Sequence, residues 1–226
     1  MKILVISDAQ GIDGAQGSLR YASRYWCNEL GWEIDVFQPR GLSDQQAIIS
    51  QAGMNPISEI LPNTRYNVVL VNSFLNIDYL AKITNVPIVF WVHEADIVLR
   101  TSSIPVRVMN QLFSIPHKII FQTVYQPNVV FKSFVHQLPP ERFSIIPCGI
   151  EPFEIPPIQK AADDIFKVCT LGNVDSRKRP IDLINAVHAL SSTFPISAKF
   201  IGSLGDSASL GPEVQDFLKA SPENII

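Results

Sequence analysis

The chain has 226 residues, 46% of them hydrophobic, with a formal net charge of −3. That length and composition suffice for a buried core and for one or two domains. The charge balance excludes a general electrostatic pull toward nucleic acid or an anionic membrane.

In chain order, the first element is the strand "KILVIS" (2–7), followed by "SDAQGIDGAQGSLR" with Gly11, Gly14 and Gly17 spaced three apart. A glycine-bearing loop between a strand and a helix presents free backbone N–H groups and a positive helix end, which favour an anion; the plainer reading is that glycine permits a tight turn. The helix is predicted over 17–31, with Leu19, Ala22, Trp26 and Leu30 at helical spacing and Gly31 as its stop. The second strand, "EIDVFQ" (33–38), ends on Phe37 and Gln38, and Asp35 lies inside it. A dinucleotide site wants an acidic residue at that strand end, and the glycine spacing is not GxGxxG, so NAD binding is disfavoured.

Further strands are predicted at "YNVVLVN" (66–72), "PIVFWV" (87–92), "KIIFQT" (118–123) and "FSIIP" (143–147). Their continuous apolar character suits a parallel sheet covered on both faces. "WVHEAD" (91–96) ends the fourth strand, where open parallel sheets place ligands. His93 beside Glu94 and Asp96 is a candidate acid, base or oriented donor, or else a helix cap. "VRVMNQLFSIPHKIIF" (106–121) mixes Arg107 and Lys118 with Met109, Leu112 and Phe113, and reads as a packed helix followed by a strand, with peripheral membrane contact as the other reading. The proline-rich "EPFEIPPIQKAADD" (151–164) marks a domain boundary, dividing the chain into 1–155 and 156–226.

The second part starts with the strand "FKVCTLG" (166–172) and "LGNVDSRKRP" (171–180), in which Arg177, Lys178 and Arg179 cluster before a helix predicted over 179–194. Cations beside a helix N-terminus can clamp a diphosphate; a solvated basic patch is the other reading. That helix carries Pro180 in its first turn and an apolar stripe of Ile181, Ile184, Val187 and Leu190. "AKFIGS" (198–203) is the next strand, and the closing "NII" reads as the start of a third, so the chain is expected to stop inside a domain. Strands alternating with helices give an α/β, doubly wound architecture.

Cys27, Cys148 and Cys169 show no CxxC spacing and read as free thiols of a reducing compartment, with no zinc-type metal site. The N-terminus lacks the pattern of a signal peptide, and the longest other apolar run, Val86 to Val92, is far short of the ~20 residues of a spanning helix. A cytoplasmic protein is expected, with a peripheral place at the inner membrane face as the other reading.

The order of these motifs resembles the retaining GT-B glycosyltransferases of family 4, also called group 1. The most specific pieces are "CTLGNVDSRKRPIDLINAVHAL" followed by "KFIGS", and "FSIIPCGIEPF"; "DGAQ" resembles the family's Gly-Gly-Ala loop. The resemblance implies a Rossmann-like acceptor domain plus part of a nucleotide-sugar donor domain. The implied reaction is metal-independent, retaining transfer of a sugar from a nucleotide-diphosphate donor to a hydroxyl acceptor, which could be a glycan, a lipid-linked or a small molecule. It implies that His93 faces the reacting sugar, and that Gly14, Ala15, Gly172 and Lys178 lie at the donor phosphates, with Arg177 as a second cation.

Several positions depart from the pattern. Asn173 stands where many members carry Arg, Arg179 replaces the usual Gly after the lysine, Asp13 replaces a Gly, and Cys148 and Glu151 replace Asn and Asp. The family's paired-glutamate motif has no counterpart within 161–226. Weak or absent activity of this chain alone is the expectation that follows. The alternative is a non-catalytic binding or scaffold remnant of an acceptor domain; a GT-B-like epimerase would want more carboxylates at the strand ends.

Overall fold

A computed structural model of the chain describes residues 1–7, 14–39, 46–60, 64–101, 103–149, 165–172, 174–175, 178–202 and 212–220. The chain divides into two compact units, Met1–Phe153 and Glu154–Ile226.

In the first unit, seven strands form one parallel sheet in the order β3-β2-β1-β4-β5-β6-β7. They are β1 (Lys2–Ile6), β2 (Glu33–Phe37), β3 (Asn55–Ile57), β4 (Val68–Asn72), β5 (Ile88–Val92), β6 (Lys118–Phe121) and β7 (Phe143–Ile145). Six were predicted. β3 was missed because it is three residues long and contains Pro56, which removes a ladder donor and is tolerated at a sheet edge.

Successive side chains of a strand point to opposite faces, so a run buried at every position needs cover on both. β1 shows this directly. Leu4 and Ile6 belong to one core cluster, Ile3 and Val5 to another. The first cluster lies under a 3₁₀ helix (Phe74–Lys82), α4 (Val106–Ser114) and α5 (Lys132–Val135). It contains a knot of phenylalanines, with Phe113 edge-on to Phe90, tilted against Phe131 and stacked on Phe134 at 5.7, 5.4 and 5.4 Å. Met109, Leu112 and Phe113 of α4 are buried there, so α4 is a packed helix. The second cluster lies under α1 (Gly14–Asn28) and α2 (Gln46–Gln51).

The predicted first helix is real but displaced. It begins at Gly14 and ends at Asn28, so Leu30 lies beyond it and is exposed, while Gln16, Leu19 and Ser23 face the core. The short α3 (Asp96–Thr101) follows β5.

The second unit contains β8 (Phe166–Leu171), α6 (Pro180–Leu190), β9 (Ile196–Ile201) and α7 (Pro212–Ala220), with β8 and β9 parallel. Val174, Phe200 and Val214 are buried, with Ile181, Leu183, Ile184 and Phe217 packed against them. Leu190, predicted on the apolar stripe of α6, is exposed. The "NII" segment and the 151–164 linker lie outside the described residues. No helix among the described residues is long and apolar enough to cross a membrane.

Candidate functional site

Strand order reverses between β1 and β4, and the carboxyl ends of strands at such a point form the crevice where open α/β sheets bind ligands. Here that edge carries a chain of polar side chains. Ser7 follows β1, Asn72 ends β4, His93 follows β5 and Gln122 follows β6. Asn72 donates through Nδ2 to Ser7 Oγ at 3.0 Å, and Gln16 of α1 donates through Nε2 to the same oxygen at 2.8 Å. The Nε2 of His93 lies 2.9 Å from Asn72 Oδ1, and Gln122 Nε2 meets His93 Nδ1. Ser7 and Asn72 are wholly buried. Buried amides and hydroxyls are costly unless paired, and this row pairs each with the next.

His93 is therefore where the sequence placed it, at the carboxyl end of β5, with Trp91 packed beside it at 4.6 Å between ring centroids. The carboxylates that follow it in sequence are engaged elsewhere. Glu94 accepts from the Ser73 hydroxyl, from the Phe74 N–H at 2.9 Å and from the His93 N–H at 3.1 Å. It caps the 3₁₀ helix and holds Ser73 at φ 76°, ψ 148°, a backbone state that residues other than glycine rarely adopt. Asp96 pairs with Arg100 at 2.7 Å, one turn on in α3. Glu94 thus positions a strained strand end, and Asp96 braces its own helix.

Gly14 and Ala15 lie in the first turn of α1 and not in a preceding loop, and Gly17 lies within the helix. The first-turn N–H groups have no intrahelical acceptor, and the turn carries no acidic residue. Gln16, in the same turn, ties this end of α1 to Ser7, so the structure brings Gly14 and Ala15 to the edge that holds His93. Gly11 and Asp13 lie outside the described residues.

In the second unit, Gly172 follows β8 with φ 114°, which demands glycine. A Cβ there would sit 3.7 Å from Cε of Lys178, so the lysine stem runs over the glycine. The backbone N–H of Lys178 donates to the carbonyl and the Oδ1 of Asp175, both at 3.1 Å, which closes the turn into α6. Arg179 caps α6 in the left-handed conformation, φ 50°, ψ 52°, and holds Asp182 through two contacts of 2.6 and 3.1 Å. A left-handed cap explains why glycine suits this position, and Arg179 is committed to its own helix. Lys178 makes no ion pair among the described residues; Arg177 lies outside them.

Asp35 is the buried acid of β2. It accepts from Asn55 Nδ2 at 2.8 Å and Tyr66 OH at 2.9 Å, and pairs with Lys2 at 3.2 Å. Burial alone would raise its pKa, but these donors outweigh burial and hold it below its ordinary value of 3.8. Burial, then the bond to Asp35, pushes the Tyr66 phenol well up. This cluster ties β1, β2 and β3 together and leaves Asp35 no role at a ribose.

A separate cavity of about 650 Å³ opens on the α1 face of the sheet, lined by Trp26, Trp32, Leu70, Trp91 and Ile120. It is apolar and does not include His93, so it is not the polar edge described above; Trp91 borders both. Among the described residues, no group of three or more His, Cys, Asp or Glu could hold a metal ion.

The sequence reading found His93 but missed Ser7, Asn72, Gln122 and, behind them, Gln126. One signal was present. In β1, β4, β5 and β6 an apolar run ends on a polar residue, and in a parallel sheet those endings share one edge.

No protein-family model matches the sequence, and no curated protein matches it. Solved structures do resemble it. HepE of Anabaena, solved with UDP and glucose, superposes with a TM-score of 0.63 at 14% identity over 99% of this chain and 65% of that one. The lipopolysaccharide outer core galactosyltransferase WaaB gives 0.62 at 14% identity over 100% and 67%. Sucrose-phosphate synthase from Thermosynechococcus elongatus gives 0.59 at 15% over 100% and 69%. The chain thus spans about two thirds of the length of each, and it shares their GT-B glycosyltransferase fold.

Proposed function

We propose that this chain takes part in glycosyl transfer: a sugar passes from a nucleotide-diphosphate donor to a hydroxyl acceptor, with retention at the anomeric carbon and without a metal. The first unit is the acceptor side, and the second is part of the donor side. The observation that carries the reading is the β8–α6 corner, where the Lys178 stem crosses Gly172 at the mouth of an eleven-residue helix. Breaking the bond from sugar to phosphate leaves its electron pair on the diphosphate. A lysine ammonium and helix-terminal N–H groups stabilise the charge that develops there. The acceptor oxygen bonds to the anomeric carbon and passes its proton to the oxygen of the departing diphosphate. The acceptor approaches at the edge formed by Ser7, Asn72 and His93, beside the first turn of α1. The fold shared with HepE, whose structure holds UDP and glucose, supports a uridine nucleotide as the first donor to try.

Calorimetric titration with UDP tests this reading. Wild-type chain should bind, and Lys178→Ala should weaken binding about 10- to 100-fold, the worth of one charged hydrogen bond. Absence of binding by UDP, ADP and GDP alike would sink the reading.

A further inference from the structure

We propose that Gln126, which bonds the backbone on either side of His93 and not the ring itself, is a positioning residue of His93, helping to hold the imidazole as the neutral Nε2–H tautomer with both ring nitrogens committed. Gln126 opens a π-helical turn, Gln126–Val130, closed by the Phe131 N–H on the Gln126 carbonyl at 2.8 Å. Its side chain is 4% exposed and points back between the ends of β5 and β6. There its amide makes four hydrogen bonds. Oε1 accepts from the N–H of Gln122 at 2.7 Å and of Thr123 at 3.1 Å. Nε2 donates to the carbonyls of Val92 at 3.1 Å and Glu94 at 2.8 Å. A primary amide offers two donors and two acceptor lone pairs, so this one is fully used.

The consequence falls on the residues between those bonds. Val92 and Glu94 flank His93, and Gln122 is the residue whose side chain meets His93 Nδ1. One side chain thus fixes both the ring and its partner. Gln122 Nε2 can only donate, so Nδ1 carries the lone pair and the proton sits on Nε2. Asn72 leads to the same answer from the other side. Its Nδ2 donates to Ser7, so Oδ1 faces Nε2 of His93 and accepts its proton. Two independent amides select one tautomer, and neither nitrogen is left to take a proton from a substrate. His93 then serves as an oriented neutral group and not as a general base. That last statement rests on the glycosyl-transfer reading; the tautomer does not.

Histidine-ring ¹H–¹⁵N spectra of the full chain near neutral pH test the proposal, with the His93 signals assigned by their loss in His93→Asn. The expected wild-type spectrum is that of Nε2–H with a hydrogen-bonded Nδ1; an Nδ1–H or imidazolium pattern overturns the proposal. Gln126→Met keeps the volume and deletes all four bonds, and should move the His93 Nδ1 signal toward that of a ring nitrogen without a hydrogen bond, while Asn72 still holds the proton on Nε2. Gln126→Glu keeps the acceptor half and should give a smaller change, so it serves if the methionine variant fails to fold. Gln122→Ala, which removes the Nδ1 partner alone, should reproduce the ring change of Gln126→Met. A ring unchanged in a folded Gln126 variant overturns the proposal, and so does a change in Gln122→Ala alone. In sugar transfer, Gln126→Glu should lower kcat about tenfold at unchanged KM for the donor. Wild-type chain without nucleotide binding would sink the functional reading, while the ring spectra still decide on Gln126.

Discussion

The two units spend their hydrophobic residues differently. In the first, nineteen buried residues form a cluster on one face of a seven-stranded sheet and ten form a cluster on the other. In the second, three described residues form the buried cluster, and the apolar Phe166 and Leu171 of β8 are 68% and 70% exposed. Burial of each large apolar side chain is worth roughly 1.5–3 kcal/mol, so the first unit has a margin that the described part of the second lacks. The polar chemistry divides the same way. In the first unit the site is a closed row of amides and hydroxyls, each held by the next. In the second it is a lysine beside a helix end, with its ammonium in no described ion pair. The polar row that keeps one geometry is built on a deep core; the lysine stands on a thinner one.

Four measurements would break or sharpen this contrast. The largest effect is expected from Phe113→Ala, which empties the centre of the phenylalanine knot and should cost about 3–5 kcal/mol. All three tryptophans, Trp26, Trp32 and Trp91, lie in the first unit, so urea unfolding followed by their fluorescence reads it directly. A cost under about 1 kcal/mol would mean that the core yields more easily than its packing implies.

The second unit has its own core residue, Phe200, 1% exposed. Phe200→Ala should cost about 3 kcal/mol within that unit and release the β8–β9 amides to fast hydrogen exchange. The tryptophan-detected transition should stay where it is. If it moves as far as in Phe113→Ala, the units unfold as one and the contrast fails.

Asp35→Asn tests the acid that binds β1, β2 and β3 and should cost about 1–2 kcal/mol at neutral pH. The folded pKa lies below 3.8, so the carboxylate's contribution is present above the unfolded value and is lost as pH falls through the folded one. The gap between wild type and variant should therefore close only in acid, below the ordinary carboxylate value. A gap that persists unchanged there would assign the loss to packing instead of charge.

The smallest effect is expected from Arg179→Gly. Glycine relieves a left-handed backbone that costs about 1–2 kcal/mol. It gives back about 0.5–1 kcal/mol in chain entropy and a fraction more in an exposed ion pair. A net change within about 0.5 kcal/mol is expected by thermal unfolding; a loss above about 1 would show that the Arg179–Asp182 contact holds the corner together.

The amino-acid sequence by itself determined the α/β class, eight of the nine strands among the described residues, the helix after β8 and the place of His93, because these rest on local signals. Apolar runs make buried strands, prolines and glycines mark helix ends, and a polar residue closing such a run falls at a strand's carboxyl end. Tertiary structure decided what those residues do. It started α1 at Gly14, since the first turn is fixed by Gln16 reaching Ser7 and not by apolar spacing. It gave Glu94 to Ser73 and Asp96 to Arg100, turning two apparent acids into structural ones. It drew Asn72 and Gln122 against one imidazole with Gln126 behind them, across 54 residues of the chain, and β3 into the sheet through Asp35. The reason is physical. Hydrophobic periodicity reports burial, which a local window can see; hydrogen-bond pairing depends on which strand ends lie side by side, and sheet order alone sets that.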